Sequence, residues 1–245
     1  NTFNYTAGAA YAATLAGQAG TDTLNFTDPA LAGINLANTT GIEVINIANG
    51  TGAIALAGIT TGLTDANATL TINGGGMVGA LTGANFGTLT SGQSVNVTTG
   101  LGNDQVTGTN GNDTINTGMG NDTVSGGTGN DTVDLGEGVN QFTGGAGNNT
   151  VTAGAGNDVI TVGNGNNTIN AGAGANMVSA GTGVNTINTG AGTDTITVGN
   201  AATAGTGSTI NAGGGADSIT VGQGAHTVDG GAGADNLQGG LGDDW

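Results

Sequence analysis

The 245-residue sequence contains no cysteine, no lysine, no arginine and a single proline. Without cysteine there are no disulfides and no thiolate zinc sites. Without basic side chains, 17 acidic residues stand uncompensated and the net charge is −17. That excludes nucleic acid, whose phosphates are bound by cations, and attraction to an anionic membrane surface. No apolar run approaches the ~20 residues of a transmembrane segment, and none reads as a signal peptide. The chain opens on Asn1, so a processed or partial piece of a longer protein is expected. Aromatics are only 3% of the residues, too few for a conventional thick core. What is present is glycine, 54 residues of it, together with 36% hydrophobic residues, mostly small and β-branched. A thin core repeated many times fits that balance, which makes periodicity the first question.

From Thr99 the period is nine. One unit reads Thr117-Gly118-Met119-Gly120-Asn121-Asp122-Thr123-Val124-Ser125, and the next Gly126-Gly127-Thr128-Gly129-Asn130-Asp131-Thr132-Val133-Asp134. Sixteen such units run to Trp245, with five extra residues in the twelfth, around Ala201–Thr206. Positions two and four are nearly always glycine, which permits the positive φ of a tight turn. Position eight is apolar (Val106, Ile115, Val124, Val133, Phe142 and onward) between polar neighbours. That triplet predicts a very short strand with one inward side chain. Position one, often Ala or Val, falls on the same face two residues later. Six residues of turn and three of strand predict a flattened parallel coil with 18 residues per rung.

The consensus Gly-Gly-x-Gly-x-Asp-x-apolar-x resembles that of the RTX (repeats-in-toxin) family of calcium-binding β-rolls. The resemblance covers residues 99–245. It implies an all-β, right-handed parallel β-helix or β-roll solenoid, with several Ca²⁺ ions held in the turns by aspartates and main-chain carbonyls. The residue types agree, because oxygen ligands alone suit a hard cation.

Successive units turn on opposite edges, so sixth positions of like parity form two columns. One reads Asp104, Asp122, Asn140, Asp158, Asn176, Asp194, Asp217, Asp235; the other Asp113, Asp131, Asn149, Asn167, Asn185, Ser208, His226, Asp244. Rungs ~4.8 Å apart set neighbouring carboxylates against each other by about 0.9 kcal/mol in water and about 3.5 kcal/mol at an effective dielectric of 20. No side-chain cation relieves this. The first column is therefore expected to hold a nearly continuous row of calcium, weaker beside Asn140 and Asn176. In the second, ions are expected near Asp113, Asp131 and Asp244, and Asn149, Asn167 and Asn185 are expected to stack as a metal-free amide ladder. The plain alternative for the aspartates is Asx-turn formation. His226 and Ser208 read as ladder members. Glu137 could reach its own turn's ion; Asp134, Asp229 and Asp243 read as solvated charge.

Residues 1–98 lack the nine-residue period but carry short strand-like runs: Thr23–Phe26, Ile34–Leu36, Val44–Ile47, Ala53–Leu56, Leu70–Ile72 and Val95–Val97. They predict a less regular parallel β-helix over 1–98, followed by the roll over 99–245. Asn4–Ala16 is read as a short helix or an irregular cap. Gly17–Asn25 looks like an isolated nonapeptide with Asp22 in sixth position. Gly20–Asn25 and Gly41–Ile47 are similar to segments of large RTX-containing bacterial S-layer and surface structural proteins. Asn-x-Thr triplets at Asn25, Asn67 and Asn112 do not by themselves indicate glycosylation.

Catalysis is not expected: there is one His, only six Ser, and no Ser placed beside His226 as a nucleophile. The reading is a calcium-dependent extracellular structural protein that folds on Ca²⁺ and self-assembles into a surface layer, filament or matrix. The alternative is an accessory export and folding module of a larger secreted toxin, hydrolase or adhesin. Ice binding through turn positions three and five is disfavoured, because Met119, Glu137, Ala155 and Leu241 interrupt the Thr/Asn ladder. End-to-end homopolymerisation is expected from the lack of a polar cap, from Phe3, Tyr5, Tyr11 and Trp245 near the termini, and from a last repeat that breaks off. Asp235 or Asp244 could share an ion across the junction. The sequence carries no signal for or against attachment to cell-surface glycans.

Overall fold

The computed structural model describes residues 1–5, 11–12, 15–17, 20–27, 33–35, 39–47, 54–57, 68–86, 89, 92–203, 205–242 and 244. They form an all-β parallel β-solenoid with no helix among them. The chain divides into two compact units, Asn1–Gly127 and Thr128–Trp245.

In the second unit two parallel sheets alternate along the chain. One contains Thr132–Asp134, Thr150–Thr152, Thr168–Asn170, Thr186–Asn188, Thr209–Asn211 and Thr227–Asp229; the other Gln141–Gly144, Val159–Val162, Met177–Ala180, Thr195–Val198, Ser218–Val221 and Asn236–Gln238. The register advances by 18 residues, as in Val133↔Val151↔Ile169↔Ile187 and Phe142↔Ile160↔Val178↔Ile196. It widens once in each sheet, at Ile187↔Ile210 and Ile196↔Ile219, where the rung takes in the five extra residues. The position-eight side chains from Val133 to Ile219 are buried, as are Ala153, Val162, Ala171, Ala180, Val198, Ala212 and Val221 at position one. The core is therefore a stack of single apolar layers. Each layer is thin, which is why small and β-branched residues fill it.

Fourth-position glycines are required by the stacking. At Gly165 φ is +143°, and an added Cβ would lie 2.0 Å from the Gly147 carbonyl oxygen of the rung before. Gly165→Ala is expected to cost about 1–3 kcal/mol from the backbone angle alone, with the carbonyl clash adding to it. The measurement is thermal unfolding of the calcium-loaded chain; an unchanged midpoint contradicts the expectation.

In the first unit one parallel sheet runs through Thr2–Tyr5, Thr23–Phe26, Val44–Ile47, Thr69–Asn73, Ser94–Thr98 and Thr114–Asn116. Its rungs are longer and unequal: 21 residues for Phe3↔Leu24 and Leu24↔Ile45, 27 for Ile45↔Ile72, 25 for Ile72↔Val97 and then 18 for Val97↔Ile115. Leu24, Ile45, Ile72, Val97 and Ile115 form its buried column. On its outer face Asn25, Asn46 and Asn73 each donate Nδ2 to the amide oxygen one rung before, at 2.8, 2.7 and 2.7 Å. A second sheet contains Tyr11–Ala12, Gly33–Asn35, Ile54–Ala57 and Leu81–Thr82. The expected helix over Asn4–Ala16 does not form: Thr2–Tyr5, Tyr11–Ala12 and Leu15–Ala16 are strands. β-formers such as Phe3 and Tyr5 gain a paired neighbour in Thr23–Phe26, and Tyr5 packs edge-on against Phe26 at 5.9 Å. Tyr11 has a described backbone only; Asn67, Asp243 and Trp245 lie outside the described residues.

Candidate metal centre

The sixth position of each nonapeptide points into its turn. Asp104, Asp113, Asp122, Asp131, Asp158, Asp194 and Asp217 are all at most 2% exposed. Each sixth residue also serves the rung before it. Its side chain accepts the main-chain N–H of the sixth residue one rung back: Asp104 N–H to Asp122 Oδ1 at 2.8 Å, Asn140 to Asp158 at 2.8 Å, Asp194 to Asp217 at 2.8 Å, Asp217 to Asp235 at 2.9 Å. On the other edge Asp131, Asn149 and Asn167 donate in turn to Asn149, Asn167 and Asn185 at 3.1, 2.9 and 3.0 Å. The column continues with Asn185 N–H to Ser208 Oγ, Ser208 N–H to His226 Nδ1 and His226 N–H to Asp244 Oδ1, at 2.9, 3.0 and 3.2 Å. This explains why Asp, Asn, Ser and His share one position: each brings an acceptor to a buried N–H that must be paired.

The second polar atom separates two kinds of turn. In the asparagine turns Nδ2 reaches the carbonyls two and four residues back. Asn167 donates to Gly165 O at 3.1 Å and Gly163 O at 3.3 Å, and Asn176 to Gly174 O at 3.1 Å and Gly172 O at 3.4 Å. Asn140 makes the same longer contacts to Gly136 O and Gly138 O, both at 3.4 Å. Nδ2 of Asn149 and Asn167 also meets the next amide oxygen, at 3.2 and 2.9 Å. These turns are closed by their own amides. His226 does likewise. Its Nδ1 accepts from Ser208, so Nε2 carries the proton and faces Gln223 O at 3.4 Å.

An aspartate has the same shape but brings an oxygen where the amide brings a donor. In Asp158, Asp194 and Asp217, Oδ2 is buried and has no hydrogen-bond partner. A buried, orphaned carboxylate oxygen beside turn carbonyls is a costly arrangement. Burial pushes the carboxyls of Asp158 and Asp194 above the usual range, against the hydrogen bonds from Asn140 and Asn176 that lower them. Burial likewise raises Asp122 and Asp113, and takes Asp104 up to about 6. A bound cation reverses that penalty. Among the described residues no three acidic or histidine side chains converge. The donor set that fits is therefore one or two carboxylates with main-chain carbonyls, the all-oxygen shell of Ca²⁺.

Protein donors already meet two of the carboxylates. Asp113 Oδ2 accepts Thr109 N–H at 2.6 Å, and its Oδ1 accepts Val95 N–H and the Thr109 hydroxyl, both at 2.8 Å. Asp104 Oδ1 accepts Leu81 N–H at 2.5 Å and its Oδ2 the Thr99 hydroxyl. Asp235 and Asp244 are half-buried. Glu137 turns away from its own turn and accepts Ala155 N–H at 2.9 Å. The role of Thr99 and Thr109 is not signalled by the repeat consensus. An off-consensus Thr in the first two positions of a turn is the clue.

A parallel solenoid whose turns bury lone carboxylate oxygens beside carbonyls defines a calcium-binding repeat protein. The family model of the RTX calcium-binding nonapeptide repeat matches the chain in four copies, at residues 98–133, 134–169, 170–200 and 211–245. The chain belongs to that family, and its nonapeptides bind several Ca²⁺ ions between turns. No curated protein and no solved structure matches it.

The two kinds of turn are interconvertible by one atom. Asp158→Asn is expected to give a folded chain with fewer bound calcium ions, its new amide spanning the Gly154 and Gly156 carbonyls. Asn167→Ala is expected to leave the ion count unchanged and to cost about 1–3 kcal/mol, since Asn149 N–H loses its acceptor. Calcium stoichiometry by equilibrium dialysis, with calorimetric unfolding, checks both. Equal ion counts for Asp158→Asn and the parent contradict the first.

Proposed function

We propose that the chain is a non-catalytic, extracellular structural protein that folds on calcium and assembles end to end into a surface layer, filament or matrix. The ions sit chiefly in the turns of Asp158, Asp194 and Asp217, where the carboxylate oxygen has no other partner. Asp122, Asp131, Asp235 and Asp244 complete the ligand set. Asp104 and Asp113 take part by exchanging threonine donors for the ion. Asn140 contributes only if its amide releases the Gly136 and Gly138 carbonyls. Repeats of this family are typical of secreted proteins, and extracellular calcium supplies the millimolar ion that such folding uses.

The observation that supports assembly is an open rung. Leu237 occupies a position-eight core site yet is 50% exposed, and the whole strand Asn236–Gln238 is exposed. It pairs on one side only among the described residues. Beside it Ile219, Val221, Val228 and Leu237 line a groove of about 180 Å³. A parallel strand from a second copy would cover the leucine and continue the ladder, a head-to-tail contact that propagates. Light scattering and electron microscopy of the chain with and without calcium test this. Calcium-dependent polymers are expected. A calcium-loaded monomer that stays monomeric at high micromolar concentration overturns the assembly reading and favours a module of a larger secreted protein.

A further inference from the structure

Beyond the matched repeats, two acidic residues precede consecutive strands of the first unit: Asp22 before Thr23–Phe26 and Glu43 before Val44–Ile47. The register Thr23↔Val44 puts them on adjacent rungs, 21 residues apart. Asp22 N–H donates to Glu43 Oε2 at 2.7 Å, the bond by which Asp104 N–H meets Asp122. The amino group of Asn1 meets Asp22 Oδ1 from one rung before. The sixth-position ladder thus recurs where the sequence has no nine-residue period.

Asp22 is fully buried, and its Oδ2 has no partner. That oxygen is aimed at the space beside Gly17. A Cβ on Gly17 would lie 2.7 Å from Asp22 Oδ2 and 1.7 Å from the Gly41 carbonyl oxygen. The roll contains the same cradle: a Cβ on Gly108 would lie 2.5 Å from Asp113 Oδ2 and 2.4 Å from Gly126 O. There the Thr109 N–H fills it. At Asp22 no protein donor does. The ammonium of Asn1 reaches only Oδ1, and the chain has no lysine or arginine to offer.

We propose that Asp22 and Glu43 form a further calcium site, with the Gly41 carbonyl facing the ion, outside the nonapeptide array. All its donors are oxygens. Glutamate suits the second rung because its longer side chain reaches back across a turn that is three residues longer than the 18-residue rung. The ion ties Thr23–Phe26 to Val44–Ile47 and neutralises two carboxylates one rung apart.

Crystals of the full chain soaked in terbium(III), a calcium substitute with strong anomalous scattering, test the site directly. A peak within about 2.3–2.6 Å of Asp22 Oδ2 is expected. Equilibrium dialysis with calcium should find one ion fewer in Asp22→Asn, with the calcium-induced β signal of the roll retained. If Asp22→Asn does not fold, Glu43→Gln keeps an acceptor for Asp22 N–H and should weaken one site at least tenfold. Filled nonapeptide turns with no peak at Asp22, or an unchanged ion count and affinity in the variants, overturn the proposal.

Discussion

Removing calcium at neutral pH is expected to abolish most of the β-sheet signal from Thr99 onward, and millimolar calcium to restore it. Each residue ordered costs about 1–2 kcal/mol of backbone entropy, and glycine, 54 of 245 residues here, loses the most. Against this the core offers one small side chain per layer. The metal-free turns of Asp158, Asp194 and Asp217 also bury carboxylate oxygens that nothing satisfies. Ion binding converts that deficit into folding free energy. Circular dichroism in EDTA followed by calcium titration is the measurement. A full β signal persisting without divalent ions contradicts it.

Acid is expected to stand in for calcium. In the metal-free fold the carboxyls of Asp104, Asp113, Asp122, Asp158 and Asp194 are raised by burial, Asp104 to about 6. A carboxyl raised in the folded state favours folding when protonated. Its contribution is fully present below the ordinary aspartate value of about 4 and is lost as pH climbs through the folded value. Each such group contributes about 1.4 kcal/mol per pH unit across that window. Protonation also relieves repulsion in a chain of net charge −17, with the same sign. The metal-free chain should therefore gain β structure between about pH 6 and pH 4. Calcium-loaded protein should follow the opposite trend over the same range, because protons compete with the ion for the carboxylates. A monotonic loss of β signal on acidifying chain stripped of metal on a chelating resin contradicts the expectation.

Several features were legible in the residues alone. A nine-residue period with an apolar eighth position implies stacked short strands, and the parallel registers Val133↔Val151 and Phe142↔Ile160 follow it residue by residue. The five extra residues near Ala201 could be counted before the 23-residue rung that holds them was seen. Asn149, Asn167 and Asn185 were expected to stack, and their amides do.

Local periodicity settles these features, because each repeat makes the same turn and presents the same face. Tertiary structure decides which oxygen is left over. Whether a buried carboxylate needs a cation depends on donors brought by other turns: Val95 to Asp113, Leu81 to Asp104, none to Asp22 Oδ2. Asp22 and Glu43 meet across a 21-residue rung that no repeat announces. The register of stacked strands is written in the spacing of apolar residues. The satisfaction of a polar atom is fixed only when the neighbouring rung arrives.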